Sequence, residues 1–452
     1  MPVSPQAYRP SRALLSLGDE FYDPVAPASF PETVLRFRND RAAAQIGLAT
    51  LTTEEWLHHL ARFEPLPDTL PGPLALRYHG HQFRSYNPDL GDGRGFTFAQ
   101  TRDQAGRLLD LGTKGSGQTP WSRFGDGRLT LKGGVREVLA TEMLEALNVP
   151  TSRTLSLVET GEELDRGDEP SPTGSAVLVR LSHSHVRIGT FQRLAYYRDE
   201  ENMRRLVAYC LRELFEEQGD DPVRLLDLVV DRTATLASRY MAAGFVHGVL
   251  NSDNINVTGE SFDYGPWRFA PTWDPAFTAA YFDAGGLYAF GRQPEAIHWD
   301  VMQLAASLRL IAGSDPLIER LESFASRFQP ALADAVLWRL GVLTRDPGSD
   351  RALARAVEKA LRATSMPLDR FFFDAFSGEL PAAYGEAWQD VRGALSAYQP
   401  RKGRDHPYWS GEPCSMLIDE VEAIWAPIAA SDDWSALHAK VAAVRAMGEA
   451  LA

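Results

Sequence analysis

The chain has 452 residues, 44% of them hydrophobic and 23% charged, which suits a globular protein of two joined lobes or a few domains and excludes wholesale disorder. Lys plus Arg number 46 against 60 Asp plus Glu, a formal charge of -14, which repels a phosphate backbone and argues against nucleic acid as a partner. Cys210 and Cys414 are the 2 cysteines, so a disulfide framework and an all-cysteine zinc site are excluded and a reducing compartment is implied.

Residues 1–73 are rich in Pro and aromatic residues, with a short helical stretch at 52–62, and read as an N-terminal wrap. No basic segment followed by an apolar one opens the chain, and no run of about 18 apolar residues follows. The expectation is an unexported, cytoplasmic protein without a membrane partner. Over 74–190, glycines punctuate short alternating segments. FTFAQTRDQAGRLLDLGTK predicts a hairpin, LSLVE and AVLVRL predict two more strands, and a single helix is expected over 135–147, opened by Gly133 and Gly134. This predicts a small mixed sheet carrying one helix.

Beyond Thr190 the periodicity becomes helical, at 202–217, 222–243, 301–311, 316–343 with breaks, 351–363 and 434–451. The expected units are 191–300, which carries a long loop at 244–299, and a helical extension over 301–452. Long loops inside a compact unit are usually functional. The acidic cluster Glu162–Glu169 reads as a solvated loop tip.

Gly91, Gly93 and Gly95 precede a strand, and glycines let backbone amides approach phosphate closely. Lys114 ends the strand LLDLGTK and Glu137 lies near the start of the helix. A strand lysine held by a helix glutamate aims an ammonium at ATP phosphates in protein kinases. In Ala243–Gly265, Asn254 and Asp263 offer oxygen ligands of the kind Mg²⁺ or Mn²⁺ shares with phosphates. Glycine loop, lysine, glutamate, His-Gly segment with Asn, and Asp-Tyr-Gly appear in protein-kinase order. The fold class expected is therefore α+β, a bilobed kinase-like arrangement with a small β-rich N-lobe and a larger helical C-lobe. The position of the usual catalytic aspartate, two residues after His247, is Val249. Valine cannot take a proton, so the nearest substitute base is Asp253.

The chain resembles the selenoprotein O family in RYHGHQF (Arg77–Phe83), LGDGRG (Leu90–Gly95), Asp110–Leu139, HVRIGTF (His185–Phe191), HGVLNSDN (His247–Asn254) and GESFDYGPWRF (Gly259–Phe269). The resemblance implies a protein adenylyltransferase that moves AMP from ATP to Ser, Thr or Tyr hydroxyls of proteins and releases pyrophosphate; whether it also modifies itself is left open by the sequence. It implies that Gly91, Gly93 and Arg94 form one nucleotide-binding loop and Asp126 and Gly127 a second. Lys114 and Glu137 would be the pair, Arg180 and Arg187 the phosphate arginines, Asp253 the base, and Asn254 and Asp263 the metal ligands. Attack at the α-phosphorus needs cations beside the departing pyrophosphate, which two arginines and a divalent metal supply. The chain ends RAMGEALA, without the Cys or selenocysteine motif of many relatives, so redox control is not carried over. Competing readings are an inactive nucleotide-binding scaffold, a kinase transferring the γ-phosphoryl group, and a zinc site built from His79, His81, His183, His185 and His247.

Overall fold

The computed structural model describes residues 7–167 and 169–452; the first six residues of the expected wrap and Asp168 of the acidic cluster lie outside the described residues. In Thr173–Ser182, Ala176 and Leu178 enter one core while Val177, Val179 and Leu181 enter another. Apolar side chains on both faces place this strand between two packed layers. It belongs to a nine-stranded sheet in the order Tyr22–Pro24, Leu74–Leu76, Thr97–Arg102, Leu108–Lys114, Thr173–Ser182, Arg153–Leu164, Val34–Arg38, with Pro10–Ser11 and Leu129–Thr130 paired beside it. The hairpin expected at 96–114 is the pair Thr97–Arg102 and Leu108–Lys114.

Two expectations are corrected. The sheet is antiparallel throughout rather than mixed. The segment 1–73 also contributes strands to it, since Val34–Arg38 pairs with Arg153–Leu164 and Tyr22–Pro24 with Leu74–Leu76. These strands cover backbone groups that a sheet edge would leave unpaired.

Asp40–Gln45 and Thr53–Leu60 cover one face, with Ala43, Trp56 and Leu60 in the core that holds Val177 and Val179. Leu131–Ala146 covers the other. This helix begins a turn earlier than expected because Thr130 caps it, its hydroxyl accepting the Gly133 N–H at 3.1 Å. Gly133 and Gly134 therefore lie inside the helix. A Cβ at Gly134 would stand 2.4 Å from Leu157 Cδ1, so the missing side chain lets the helix close on its strand.

After Ser182 the chain is mainly helical. Glu200–Tyr209, Pro222–Ala243, Gln293–Leu308, Ser314–Glu322, Phe324–Arg339, Pro347–Thr364 and Ser435–Leu451 overlap the periodic segments. Ile188–Tyr197, Leu368–Asp374, Gln389–Leu395 and Ile418–Ser431 are additional helices. The core of Val138 and Leu178 continues through Leu206, Val229 and Val301, so sheet and helices share one interior. Among the described residues, no helix is long and apolar enough to cross a membrane.

Candidate functional site

A cleft of about 700 Å³ is bordered by Gly91, Gly93, Arg94, Lys114, Asp126, Gly127, Arg180, Arg187, Asp253, Asn254 and Asp263. The structure thus brings together all the singled-out residues except Glu137, which stands behind Lys114. Register explains the grouping. Lys114 pairs with Leu178 and Gly112 with Arg180; paired residues share a face, as do residues two apart. Lys114 and Arg180 therefore both stand on the side covered by Leu131–Ala146. Glu137 on that helix is 1% exposed and ion-pairs with the Lys114 ammonium.

Arg180 is oriented from behind. Its Nε–H donates to His185 Nε2 at 3.0 Å, and Asp110 accepts the His185 backbone N–H at 2.8 Å and faces Nδ1 at 3.3 Å. Burial pushes His185 toward its neutral form. A neutral ring that accepts at Nε2 carries its proton on Nδ1, facing Asp110. A Cβ on Gly112 would stand 2.4 Å from His185 Cε1, so only glycine leaves room for this ring.

Three cations gather around Asp263, whose φ of +61° lies in the left-handed region. One of its oxygens pairs with Arg180 and lies 3.6 Å from Lys114 Nζ, and the other lies 3.6 Å from Arg187. Burial would raise this carboxyl, but Arg180, Lys114 and Arg187 together outweigh it and hold it well below the usual carboxylate range. Arg187 caps Ile188–Tyr197 and is buried against the rings of Tyr78 and Phe262, 4.1 and 4.8 Å from their centroids. It donates to the Asp253 carbonyl at 3.1 Å and faces Asp92 at 3.3 Å.

Asp253 and Asn254 end the short turn Ser252–Asn254. The hairpin of Gly80–Gln82 and Ser85–Asn87 braces this turn, the His81 N–H donating to Ser252 Oγ at 2.7 Å. Asn254 Nδ2 donates to the Val249 carbonyl at 2.9 Å, which leaves the carboxamide oxygen for another partner. Asp253 is 7% exposed and its Oδ1 has no hydrogen-bond partner among the described residues. Burial pushes its pKa up to about 6, against the pull of Arg187. Val249 also borders the cleft and presents only an isopropyl group there.

The two glycine-containing loops lie against each other. Thr119 Oγ1 donates to the Asp92 carbonyl at 2.6 Å and Ser122 Oγ to the Gly93 carbonyl, while the Trp121 indole packs where a Gly91 side chain would stand. Gly127 has a φ of +71° and accepts the Gly117 N–H at 3.1 Å, a tight crossing that excludes a Cβ. Asp126 pairs with Arg166 at 2.8 Å. Arg94 is exposed at the rim.

Sequence reasoning passed over Asp92, Asn251 and the Asp110–His185 support. Asp92 accepts the Leu76 N–H at 3.0 Å and faces Arg187; an acid flanked by two glycines in a loop already singled out was the available signal. The histidines do not gather. His79 faces Tyr86 Oη, His81 the Gln192 amide and His247 the Phe262 carbonyl. Among the described residues, no group of three or more His, Cys, Asp or Glu is arranged to hold a metal ion, which corrects the histidine zinc reading.

Residues 5–403 match the family described as protein adenylyltransferase SelO. A protein nucleotidyltransferase YdiU of Synechocystis is 42% identical, over 93% of this chain and 94% of its own. The protein of that name from Gloeobacter violaceus is also 42% identical, over 96% and 94%. The one from Azotobacter vinelandii is 35% identical, over 90% and 82%.

Proposed function

The chain belongs to the protein adenylyltransferase SelO family, and from that premise we propose how its cleft moves AMP from ATP to hydroxyl groups of proteins. It is a nucleotidyltransferase, with ATP as nucleotide substrate and proteins as acceptors. In our reading the sheet half and the helical half act as the two lobes of a protein-kinase-like fold working in the cytoplasm. The acceptors are Ser, Thr or Tyr side chains, including exposed ones of the enzyme itself.

The observation that carries the reading is the convergence of Lys114, Arg180 and Arg187 on Asp263, in the same cleft as Asp253, whose Oδ1 has no hydrogen-bond partner among the described residues. The acceptor oxygen attacks the α-phosphorus, an O–P bond forms, and the bond to the β-phosphate oxygen breaks with its electron pair leaving on pyrophosphate. Asp253 takes the hydroxyl proton. Lys114, held by Glu137, and the two arginines stabilise the departing charge. Gly91, Gly93, Arg94, Asp126 and Gly127 hold the nucleotide from the rim.

Lys114, Arg180 and Arg187 face Glu137, Asp92 and Asp263, so this inner group is neutral as a whole and leaves the phosphates beside it to be offset by other cations. Asn254 and Asp263 offer oxygen donors only, a set that suits Mg²⁺ or Mn²⁺ with water and phosphate oxygens completing the shell. Such an ion, when bound, would supply positive charge directly at the phosphates.

Val249 favours the inactive scaffold as a second reading, and the buried Asp253 carboxylate speaks against it. Incubation with Mg²⁺ and ATP labelled at the α or the γ phosphate separates the readings. We expect protein-bound label from the α position only. Label from γ alone would indicate a kinase, and none from either a scaffold.

A further inference from the structure

We propose that Phe83, Tyr281 and Phe282 form the docking surface for the acceptor protein, and that this surface takes an apolar side chain two or three residues from the modified hydroxyl. The proposal rests on the adenylyl-transfer reading and adds to it a class of target sequence.

Three aromatic side chains stand together in solvent. Phe83 is 40%, Tyr281 86% and Phe282 49% exposed. Ring centroids lie 5.9 Å apart for Phe83 and Phe282 and 5.1 Å apart for Tyr281 and Phe282. Single exposed apolar residues are ordinary, whereas a contiguous aromatic group marks a contact surface.

The group is held rigidly. Phe83 and Arg84 both have positive φ, 50° and 63°, a conformation that costs energy for residues other than glycine. The turn persists because the Phe83 N–H donates to Asn251 Oδ1 at 3.1 Å, the atom that also accepts the Tyr288 hydroxyl at 2.7 Å. Asp283 shapes the second loop, accepting the Leu287 and Tyr288 amides at 2.8 Å each. Rigid aromatic groups lose little entropy on binding.

Its position identifies the occupant. Gln82 and Asn251 border the cleft together with Asp253; Phe83 follows Gln82 in the chain and is bonded to Asn251. The patch therefore continues the cleft wall outward from the proposed base. A polypeptide that presents a hydroxyl to Asp253 must leave the cleft across a wall, and on this side it meets aromatic rings. An extended segment rises about 3.3 Å per residue, so the residues meeting the rings are the near neighbours of the acceptor.

The test uses the full chain and three fluorescent peptides, each with one tyrosine, identical except for Leu, Ala or Asp at the second and third positions on either side. Binding is read by anisotropy with Mg²⁺ and α,β-methylene ATP, and transfer by label from α-labelled ATP. The Leu peptide should bind about tenfold more tightly than the Ala or Asp peptide, the factor that burying one aliphatic side chain supplies. In Phe83→Ser/Phe282→Ser the preference should fall to about twofold or less. Tyr281→Ala, at the most exposed position, should lower it partway and keeps the test usable if the double variant unfolds. Equal binding of all three peptides, or an unchanged preference in both variants, would overturn the proposal. So would sedimentation showing a dimer that the double variant dissolves, since a second copy would then cover the patch. Binding of the Leu peptide without label would defeat the transfer chemistry and leave the docking surface standing; equal labelling and binding of all three would do the reverse.

Discussion

Replacing Gly80 by Ala tests whether Asp253 acts from the position the fold gives it. An alanine Cβ would stand 2.9 Å from both Asp253 Cβ and Oδ1, whereas carbon atoms in contact rest at about 3.5 to 4.0 Å. The backbone at Gly80 is not left-handed, so the methyl group adds no φ strain and acts through contact alone. The hairpin cannot swing away without giving up the bonds from His81 to Ser252 and from Phe83 to Asn251. Asp253 moves instead, by half an ångström or more. A misplacement of about 1 Å can cost roughly 100-fold in rate, so kcat for α-label transfer should fall roughly 10- to 100-fold, about 1.4 to 2.7 kcal/mol. KM for ATP should stay within about twofold because the phosphate cations are untouched. In an Asp253→Asn background the same alanine should change nothing further, since both changes act through one carboxylate. A Gly80→Ala enzyme with wild-type kcat, or an equal further loss in the Asp253→Asn background, would refute the positioning of the base.

Asp263→Ala should abolish α-label transfer and Lys114→Ala should reduce it strongly. Lys114→Ala also leaves Glu137 buried without its partner, a loss of about 3 kcal/mol in denaturation that Lys114→Ala/Glu137→Ala should largely restore without restoring activity. Chelation of divalent ions should stop transfer, and Mg²⁺ or Mn²⁺ should restore it in the parent but weakly in Asn254→Ala. In metal-free protein, Asp253→Asn should be more stable than the parent by about 3 kcal/mol at pH 8 and only about 1 kcal/mol at pH 4.5. The sign follows from the carboxyl whose pKa rises from 3.8 to about 6 on folding: its buried anion destabilises the folded state, fully so above pH 6, and protonation removes the cost as pH falls. A pH-independent difference in denaturation midpoint would contradict that burial. Arg445→Met should lower stability by about 1.5 to 3 kcal/mol, because the buried Glu142 loses its two-bond partner and keeps only Asn39 at 3.4 Å and Arg41 at 3.7 Å, and transfer should fall as the Glu137 helix loosens.

The residues that announced themselves in sequence were those whose chemistry depends on type and order. Lys114 ending an apolar strand, Glu137 early on a helix, and Asn254 followed by Asp263 could be read because a charged group at a strand end or in a long loop needs a reason. The helix Pro222–Ala243 was equally plain, with Asp221 as its cap and Gly244 after its last residue. Long-range supports were not legible. Nothing local ties Asp110 to His185 or Glu142 to Arg445; each pair exists only because the sheet and the C-terminal helix bring them together. The strands at 10–11, 22–24 and 34–38 were hidden for a related reason. They are too short to show alternation, and their pairing is set by the strands they meet. Ile188–Tyr197 escaped because its cap is Arg187, a residue type outside the usual capping set.

The apolar side chain at 249 and the geometry of the loop around it are separate matters in this chain. Asn254 is tied to residue 249 through that residue's backbone carbonyl, so any side chain at 249 leaves the tie intact. The turn is held a second time by Arg187 on the Asp253 carbonyl and a third by the hairpin amide on Ser252. With the loop fixed by backbone and neighbours, an apolar residue at 249 leaves it undisturbed, and in our reading the base is Asp253, one position before the proposed metal ligand Asn254. In the proposed reading Asn254, next to this carboxylate, would help hold the divalent ion, and Arg180 and Arg187, which meet Lys114 at Asp263, would offset the charge of a departing pyrophosphate. On that reading the arginines and the aspartate form one requirement, and Asp253→Asn or the loss of either arginine should by itself abolish label from the α position.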